Sequence, residues 1–537
     1  MIVLACGEPD TMGSICGYVS FNRPSARSVF NCLNRMRHRG AAFFGLYADG
    51  QVRESRRLQD LKWTRRANIC LAYSKLNVTG RHSRCSESSN QRLYLVLDGC
   101  FHNDKELGSL LREPRGRSTD EDREVLLRFI GELYDGNLVK AVRSALTMMA
   151  GVYALAVTDG KRVMLARDPV GTKPLYYTEK QRTIYFSSEK KAIWDFNKNV
   201  KSVRPGTMVE ISGRGTRTHL GVRLEHPPID IVDFREAAHL YKDSLMEAVR
   251  RHLRGVEDEA VGVIFSGGVD STLIAKILKD LGKRARCYCV GTDGSEDLYF
   301  AEYAAEALDL ELQTITVDQT MIEKVLPEVI RCIEINGPVQ VETAIPVYLA
   351  AKKASEDGIR VLFNGQGPDE LFAGYPWYPA IAQKDGYVRL HAKLWQDVAL
   401  SYADTLERED KAAMAHGVEL KVPYLDLDLV RIAMRTSPSL KIRDAEDKRE
   451  LGKWIHREVA LLLGVPRVIS HREKNGAQHG SGVHVEVERI AKRRFHAKYF
   501  RRSEVKDRGS NYRYCRAQYG SREELAYLYE LGAILRR

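Results

Sequence analysis

Val261-Gly262-Val263-Ile264-Phe265-Ser266-Gly267-Gly268-Val269-Asp270-Ser271-Thr272 is a short apolar run that breaks into two glycines and three small hydroxyl residues. Helix-like Leu273-Ile274-Ala275-Lys276-Ile277-Leu278 follows directly. Strand, glycine turn and helix in that order make a phosphate cradle. Glycines let backbone N–H groups turn toward an anion, and the helix N-terminus adds partial positive charge. Ser266, Ser271 and Thr272 supply hydroxyl donors, and Asp270 is placed to hold a magnesium ion against phosphate. No G-x-x-x-x-G-K-[ST] occurs anywhere in the chain, so the Walker-type lysine is missing. The pattern points to ATP cleavage that releases pyrophosphate and leaves AMP on the substrate, not to a kinase or GTPase. ATP and Mg2+ are therefore expected.

A second loop has the same grammar. Strand-like Arg360-Val361-Leu362-Phe363 runs into Asn364-Gly365-Gln366-Gly367-Pro368-Asp369-Glu370-Leu371-Phe372-Ala373-Gly374-Tyr375. In a parallel sheet both loops fall at one edge and face one nucleotide. Asp270 and Asp369 are then expected to share magnesium across the pyrophosphate.

Two blocks separate near residues 200–235. The first is a succession of short β-like runs, including 17–21, 93–97, 151–157 and 183–186, with helix-like segments at 26–36 and 123–134. The second alternates: helix 236–254, strand 261–265, helix 272–280, strand 287–291, helix 297–308, strand 312–317, helices near 320–335 and 343–355, and strand 360–364. That alternation predicts a doubly wound parallel sheet, an α/β domain beside an α+β one. After about residue 385 the pattern is mainly helical. The expected domains are 14–211, 234–485 and a C-terminal extension at 489–537.

Length and composition narrow the classes. A chain of 537 residues is too long for one core. No apolar run reaches the roughly 18 residues of a membrane-spanning helix, so no membrane partner is expected. The opening Met1-Ile2-Val3-Leu4-Ala5-Cys6 does not read as a signal peptide. Ten cysteines without C-x-x-C spacing fit a cytoplasmic setting. Cys287 and Cys289, one residue apart on an expected buried strand, read as core packing. Of the net charge of +12, +9 lies in residues 489–537, where 14 Lys/Arg face 5 Asp/Glu. The extension interleaves bases with aromatics, which leaves nucleic acid open, yet no recognisable nucleic-acid module accompanies it. A solvated basic tail is the reading preferred.

The three stretches Ser266–Ser271, Gly365–Tyr375 and Gly417-Val418-Glu419-Leu420-Lys421-Val422-Pro423-Tyr424-Leu425-Asp426 together resemble the synthetase domain of glutamine-dependent asparagine synthetases. Upstream, Arg167-Asp168-Pro169-Val170-Gly171-Thr172-Lys173-Pro174-Leu175-Tyr176-Tyr177 and Ser188-Glu189-Lys190-Lys191-Ala192 resemble the end of that family's glutaminase domain. The resemblance spans roughly residues 14–485. It implies an Ntn-hydrolase-like αββα sandwich followed by an ATP pyrophosphatase domain. The reaction it implies adenylates the aspartate side chain to β-aspartyl-AMP, then amidates it with glutamine or ammonia nitrogen. Aspartate, ATP and the nitrogen donor are the implied small-molecule partners, and a homodimer is compatible with the reading. Ser266, Gly267, Gly268, Asp270, Ser271, Asn364 and Gly365 would hold nucleotide and pyrophosphate, with Asp369 the second acidic ligand. Val290 matches an adenine-contacting position, and Lys474, in Arg472-Glu473-Lys474-Asn475-Gly476, a lysine that stabilises charge on the reacting phosphate.

Several positions depart from the family. Gln366 stands where a glutamate often handles the ammonia proton, and an amide cannot act as a base, although it can orient the intermediate. Cys16 matches the thiol that attacks glutamine, and His38-Arg39-Gly40 the motif that follows, but fifteen residues precede Cys16 where the family uses its free α-amine as base. Lys75 replaces an arginine that clamps the glutamine carboxylate. Asp98-Gly99-Cys100 replaces Asn-Gly-Glu, so an ionised Asp98 would face the oxyanion that an amide stabilises. Gly99 and Asp122 do match, Asp122 as the acid receiving the glutamine amine. The alternatives are an ammonia-using ligase for another carboxylate with an inactive glutaminase, and an RNA-modifying protein.

Overall fold

A computed structural model describes residues 12–76, 93–111, 122–256, 260–443, 451–494 and most of 527–533. Most of the basic extension lies outside the described residues. The chain divides into two compact units, the main change falling between Glu225 and His226, with the short segment from Leu253 grouped with the first.

The first unit contains two antiparallel sheets. One has the order β10-β8-β9-β1-β4-β2-β3 and the other β12-β11-β7-β6-β5. The strands are β1 (Met12–Ser20), β2 (Phe43–Ala48), β3 (Gln51–Ser55), β4 (Ile69–Lys75), β5 (Tyr94–Phe101), β6 (Gly151–Thr158), β7 (Val163–Arg167), β8 (Tyr176–Lys180), β9 (Thr183–Ser187), β10 (Lys201–Ser202), β11 (Thr207–Ser212) and β12 (Gly215–Leu220). Alternation along β1 decides what each face meets. Ile15 and Val19 join Leu71, Leu95 and Leu155 in the layer between the sheets. Cys16 and Tyr18 join Val29 and Leu33 of α1 (Arg27–Arg35) on the other side. Beyond α2 (Asp104–Ser109), helices α3 (Asp122–Leu133) and α4 (Leu138–Met148) pack on the second sheet. Helix, sheet, sheet and helix are thus stacked, the αββα order expected. The sheet does not end at Ile211: β12 continues it, pairing Gly215–Leu220 with β11.

The run at 167–177 serves this unit as a staple. Asp168 is buried, and one carboxylate oxygen accepts the N–H groups of Val170, Gly171 and Thr172 at 3.1, 2.7 and 3.1 Å. Arg167 donates in return to the carbonyls of Gly171 and Lys173, both at 2.6 Å. A buried loop cannot use water, so two charged side chains satisfy its backbone.

The second unit is built on a five-stranded parallel sheet of order β15-β14-β13-β16-β17. Its elements run α5 (Phe234–His252), β13 (Ala260–Ile264), α6 (Val269–Asp280), β14 (Arg284–Gly291), α7 (Glu296–Leu308), β15 (Glu311–Thr316), α8 (Gln319–Ile333), α9 (Pro338–Glu356), β16 (Val361–Phe363), α10 (Pro368–Leu371), α11 (Trp377–Ser401), α12 (Glu407–Met414) and β17 (Glu419–Lys421). From β13 the chain moves outward through β14 to β15, then returns to the opposite side of β13 as β16. The reversal opens a crevice beyond the carboxyl ends of β13 and β16, the two strands that carry the glycine loops. Strand β17 falls in the region expected to be helical; only three residues long, it gives no period to read. Helix α6 starts at Val269, three residues before the expected start at 272, which brings Asp270, Ser271 and Thr272 into the first turn. The helix Val483–Arg494 runs straight through the expected boundary at 485–489. No described helix is long and apolar enough to cross a membrane.

One buried charge stands apart. Lys441 is fully buried, its amine lacks a hydrogen-bond partner, and Phe372 lies 6.0 Å away. Burial pulls its pKa down to about 7. An unfolded lysine titrates near 10.4, so between these values the unfolded chain binds the extra proton and native stability rises with pH. Lys441→Met removes that burden. Thermal unfolding is expected to show the variant more stable, on the order of 2–4 kcal/mol at or below pH 7, with the gain shrinking toward pH 10.

Candidate active site

The loop after β13 is held by contacts that leave no room for substitution. Gly267 sits at φ +64°, and a Cβ there would stand 2.2 Å from the Phe300 carbonyl carbon on α7. The Ser271 hydroxyl accepts the Ser266 N–H and donates to the Gly268 carbonyl, each at 3.3 Å. Thr272 Oγ1 is buried without a hydrogen-bond partner. The second loop abuts the first: a Cβ on Gly365 would lie 2.8 Å from Ser271 N and 3.0 Å from Asp270 Cβ. Glycine here is what allows two loops, nearly a hundred residues apart in sequence, to touch.

Asp270 and Asp369 meet on one cation. Lys453 Nζ lies 2.6 Å from Asp270 Oδ2 and 2.8 Å from Asp369 Oδ1. Lys474 Nζ is 2.7 Å from Asp369 Oδ2. His456 Nε2 is 3.0 Å from Asp270 Oδ1, and its Nδ1 is 2.6 Å from the Tyr241 hydroxyl. The Tyr241 hydroxyl and the Asp270 carboxylate thus bracket the two ring nitrogens of His456. Burial alone raises a carboxyl pKa. Here Lys453 and His456 outweigh it and hold Asp270 well below the usual carboxylate range, and Lys453 and Lys474 lower Asp369 likewise. Burial pulls Lys474 down, but Asp369 and Asp270 raise it above an ordinary lysine. Two ionised carboxylates able to share one ammonium group fit the demands of a hard divalent cation, which takes oxygen ligands of this kind.

Arginines set the frame around these groups. Arg472 donates to the Ser266 carbonyl at 2.8 Å and to Asp297 Oδ1 at 2.8 Å, with its guanidinium 4.3 Å over Phe300. Burial nevertheless raises Asp297 to about 6. Arg457 donates to the carbonyls of Gly452, Ser470 and Arg472 at 2.8, 2.7 and 2.8 Å, tying the Lys453 turn to the segment that carries Lys474. Glu370 Oε1 accepts the Tyr375 hydroxyl at 2.6 Å, and burial together with Asp369 lifts this carboxyl to about 7.

Of the expected residues, Ser266, Gly267, Gly268, Asp270, Ser271, Gly365, Asp369 and Lys474 come together. Val290 is buried near the end of β14, the neighbour of β13. Gln366 is half-buried on the second loop. Asn364 is committed elsewhere, its amide donating to Glu409 Oε2 at 2.6 Å. Sequence reasoning missed Lys453, His456 and Arg457. Their only signal is a basic cluster at Lys453-Trp454-Ile455-His456-Arg457, which says nothing of which carboxylate it meets.

The glutaminase positions form a different picture. Arg39 is fully buried at the head of β1, where its Nε donates to the Gly13 carbonyl at 2.6 Å. Its other nitrogens reach Asp98 Oδ2 at 3.3 Å and Glu189 Oε1 at 3.4 Å. The Ser188 hydroxyl accepts the Ile15 N–H at 3.0 Å and lies 3.3 Å from Asp98. Glu189 also binds His38 at 3.0 Å and Lys191 at 2.6 Å; burial raises its pKa, but His38, Lys191 and Arg39 prevail and lower it well below normal. Lys75, the last residue of β4, is buried and pairs in register with Met12. Gly99 has φ +133° with the Val152 carbonyl where a Cβ would be. Asp122 opens α3, and its side chain lies outside the described residues. Cys16 corrects the expectation. Its side chain is fully buried against α1, Sγ is 3.8 Å from the Val29 carbonyl, and burial pushes the thiol well above its ordinary pKa. A buried neutral thiol is a poor nucleophile.

Comparison with known proteins accords with both halves. The asparagine synthase family model matches residues 240–389 and 380–526, and the glutamine amidotransferase domain model matches residues 12–216. The chain is 30% identical over 533 residues to a putative glutamine-hydrolysing asparagine synthetase 1 of Methanocaldococcus jannaschii, covering 90% of this chain and 96% of that protein. It is 26% identical to asparagine synthetase 2 of Oryza sativa, over 87% of this chain and 77% of that one. It is 25% identical to asparagine synthetase 1 of Arabidopsis thaliana, over 84% and 75%. With the synthetase crevice and the αββα sandwich both in place, the chain belongs to the asparagine synthase family.

Proposed function

We propose that the protein is an ATP-dependent ligase that converts aspartate to asparagine through β-aspartyl-AMP, releasing AMP and pyrophosphate, with glutamine or free ammonia as nitrogen donor. The observation that carries this reading is the convergence of Asp270, Asp369, Lys453 and Lys474 at the crevice between β13 and β16. The similarity to asparagine synthetases favours aspartate over another carboxylate as acceptor.

In this reading the Ser266–Ser271 loop and the first turn of α6 hold the β- and γ-phosphates through backbone N–H groups and hydroxyls. Asp270 and Asp369 would hold Mg2+, which when bound neutralises phosphate charge. Lys474, on a segment fixed by Arg457 and Arg472, meets the negative charge that builds on the α-phosphate as the aspartate carboxylate attacks phosphorus and pyrophosphate departs. Preplacement matters because a charged donor already in position costs no reorganisation in the transition state. Lys453 steadies both carboxylates and keeps them ionised. In the second half-reaction ammonia nitrogen attacks the acyl carbon, the C–O bond to AMP breaks and one proton leaves the nitrogen. Gln366 is placed to orient the acyl group by hydrogen bonding, not to take that proton.

The direct test supplies ATP, Mg2+, aspartate and ammonium and measures asparagine and pyrophosphate; release of pyrophosphate without dependence on aspartate would reject the reading. Asp369→Asn and Lys474→Met are each expected to lower aspartate-dependent pyrophosphate release by about 100-fold or more. Lys453→Met leaves two buried carboxylates without their shared cation. Calorimetry is expected to show a loss of ~3–5 kcal/mol in stability, and added Mg2+ should raise the variant's Tm more than that of the unmodified protein.

A further inference from the structure

We infer that the nitrogen enters this enzyme as ammonia, and that the N-terminal unit is a folded domain that does not hydrolyse glutamine. The inference rests on the ligase reading and sharpens its nitrogen source. Three observations carry it.

The first is where Cys16 points. On β1 it pairs in register with Ala72 and Ser187, and its side chain belongs to the apolar cluster of Val29, Phe30, Leu33 and Cys70 beneath α1. The neighbours Ile15 and Gly17 take the opposite face, as the period of two requires. The thiol is fully buried on the helix side. To attack an amide it would need an open approach and a thiolate, and this site supplies neither.

The second is what stands at the head of β1, beside Arg39, Asp98 and Glu189. That residue is Gly13, which has no side-chain nucleophile. A Cβ added there would lie 2.0 Å from the Arg39 carbonyl oxygen and 2.7 Å from its carbon. Both partners are backbone, so a cysteine or serine side chain has nowhere to go. The other described cysteines of this unit, Cys32, Cys70 and Cys100, are buried as well.

The third is charge. Arg39, Asp98 and Glu189 are each fully buried and bound to one another. Bringing in glutamine, with its own carboxylate and ammonium, would require breaking pairs that have already lost their water. Separating a buried pair is costly because each partner is left uncompensated. The Gly13 carbonyl and the Ser188 hydroxyl add hydrogen bonds to Arg39 and Asp98, so the cluster is tied into the backbone at the head of β1.

The overall balance then needs no thioester and no glutamate: ATP, aspartate and ammonia give asparagine, AMP, pyrophosphate and one proton released to solvent.

The experiment uses the full-length protein and reads two quantities separately. Asparagine is measured with ATP, Mg2+ and aspartate plus either ammonium chloride or ammonia-free glutamine. Glutamate release from glutamine is measured alone and with ATP and aspartate. Ammonium is expected to support asparagine formation, with glutamine giving less than a hundredth of that rate and no glutamate above a no-enzyme control. Incubation with a diazoketone analogue of glutamine, followed by intact-mass and peptide analysis, is expected to show no adduct on any cysteine, Cys6 and Cys85 outside the described residues included. Glutamate formed in step with asparagine, or an adduct on any one cysteine, overturns the proposal. Failure to form asparagine from either donor overturns the ligase reading itself, and the glutamate and adduct measurements then still decide whether this unit hydrolyses glutamine.

Discussion

Two carboxylates buried against each other repel, and Asp270 and Asp369 stay ionised because Lys453 stands between them, helped by His456 at the first and Lys474 at the second. Everything around the crevice follows from bringing Asp270, Asp369 and Lys453 together. The reversal of strand order places the ends of β13 and β16 side by side. Gly365 lets the second loop approach the first, and Gly267 lets the first approach α7, since a Cβ at either would meet backbone. The turn at Lys453 adopts φ +61°, a conformation unfavourable for a side-chain-bearing residue, and the two ion pairs hold it there. Arg457 then couples this turn to the strand of chain that ends in Lys474. One electrostatic constraint therefore organises segments drawn from residues 266–272, 364–375, 452–457 and 470–474.

The parts of this architecture legible in the sequence are those with local signatures. The βα alternation of the second unit shows its period directly, and glycine followed by small hydroxyl residues marks a phosphate cradle wherever it follows a strand. Lys453 and His456 were not legible in the same way. Their importance lies in contacts with residues 84 to 215 positions earlier, and no local period encodes a contact of that span. Strand β17 was hidden for a related reason: three residues carry too little pattern, and Glu419–Lys421 is a strand because Val361–Phe363 offers it an edge.

Cys16 shows the opposite failure. Family likeness drew attention to a cysteine near the start of the matching region, while the alternation of β1 already contained the contrary information. Val19 and Ile15 mark one face as core between sheets, which assigns Cys16 and Tyr18 to the other. The period puts the thiol opposite Ile15 and Val19, and the packing of α1 decides that this face lies under the helix. In the Arg167–Tyr177 stretch, Arg167 and Asp168 satisfy the backbone of a buried loop.

Lys453 also separates two events that are joined in many metal-dependent enzymes. Where acidic ligands face one another bare, folding and metal uptake are a single equilibrium, and starvation for the ion unfolds the protein. Here an internal ammonium group supplies counter-charge of its own, so the two carboxylates are paired without help from an ion. Cellular fluctuations in free divalent cation should then alter how fast the enzyme turns over more than how much of it survives.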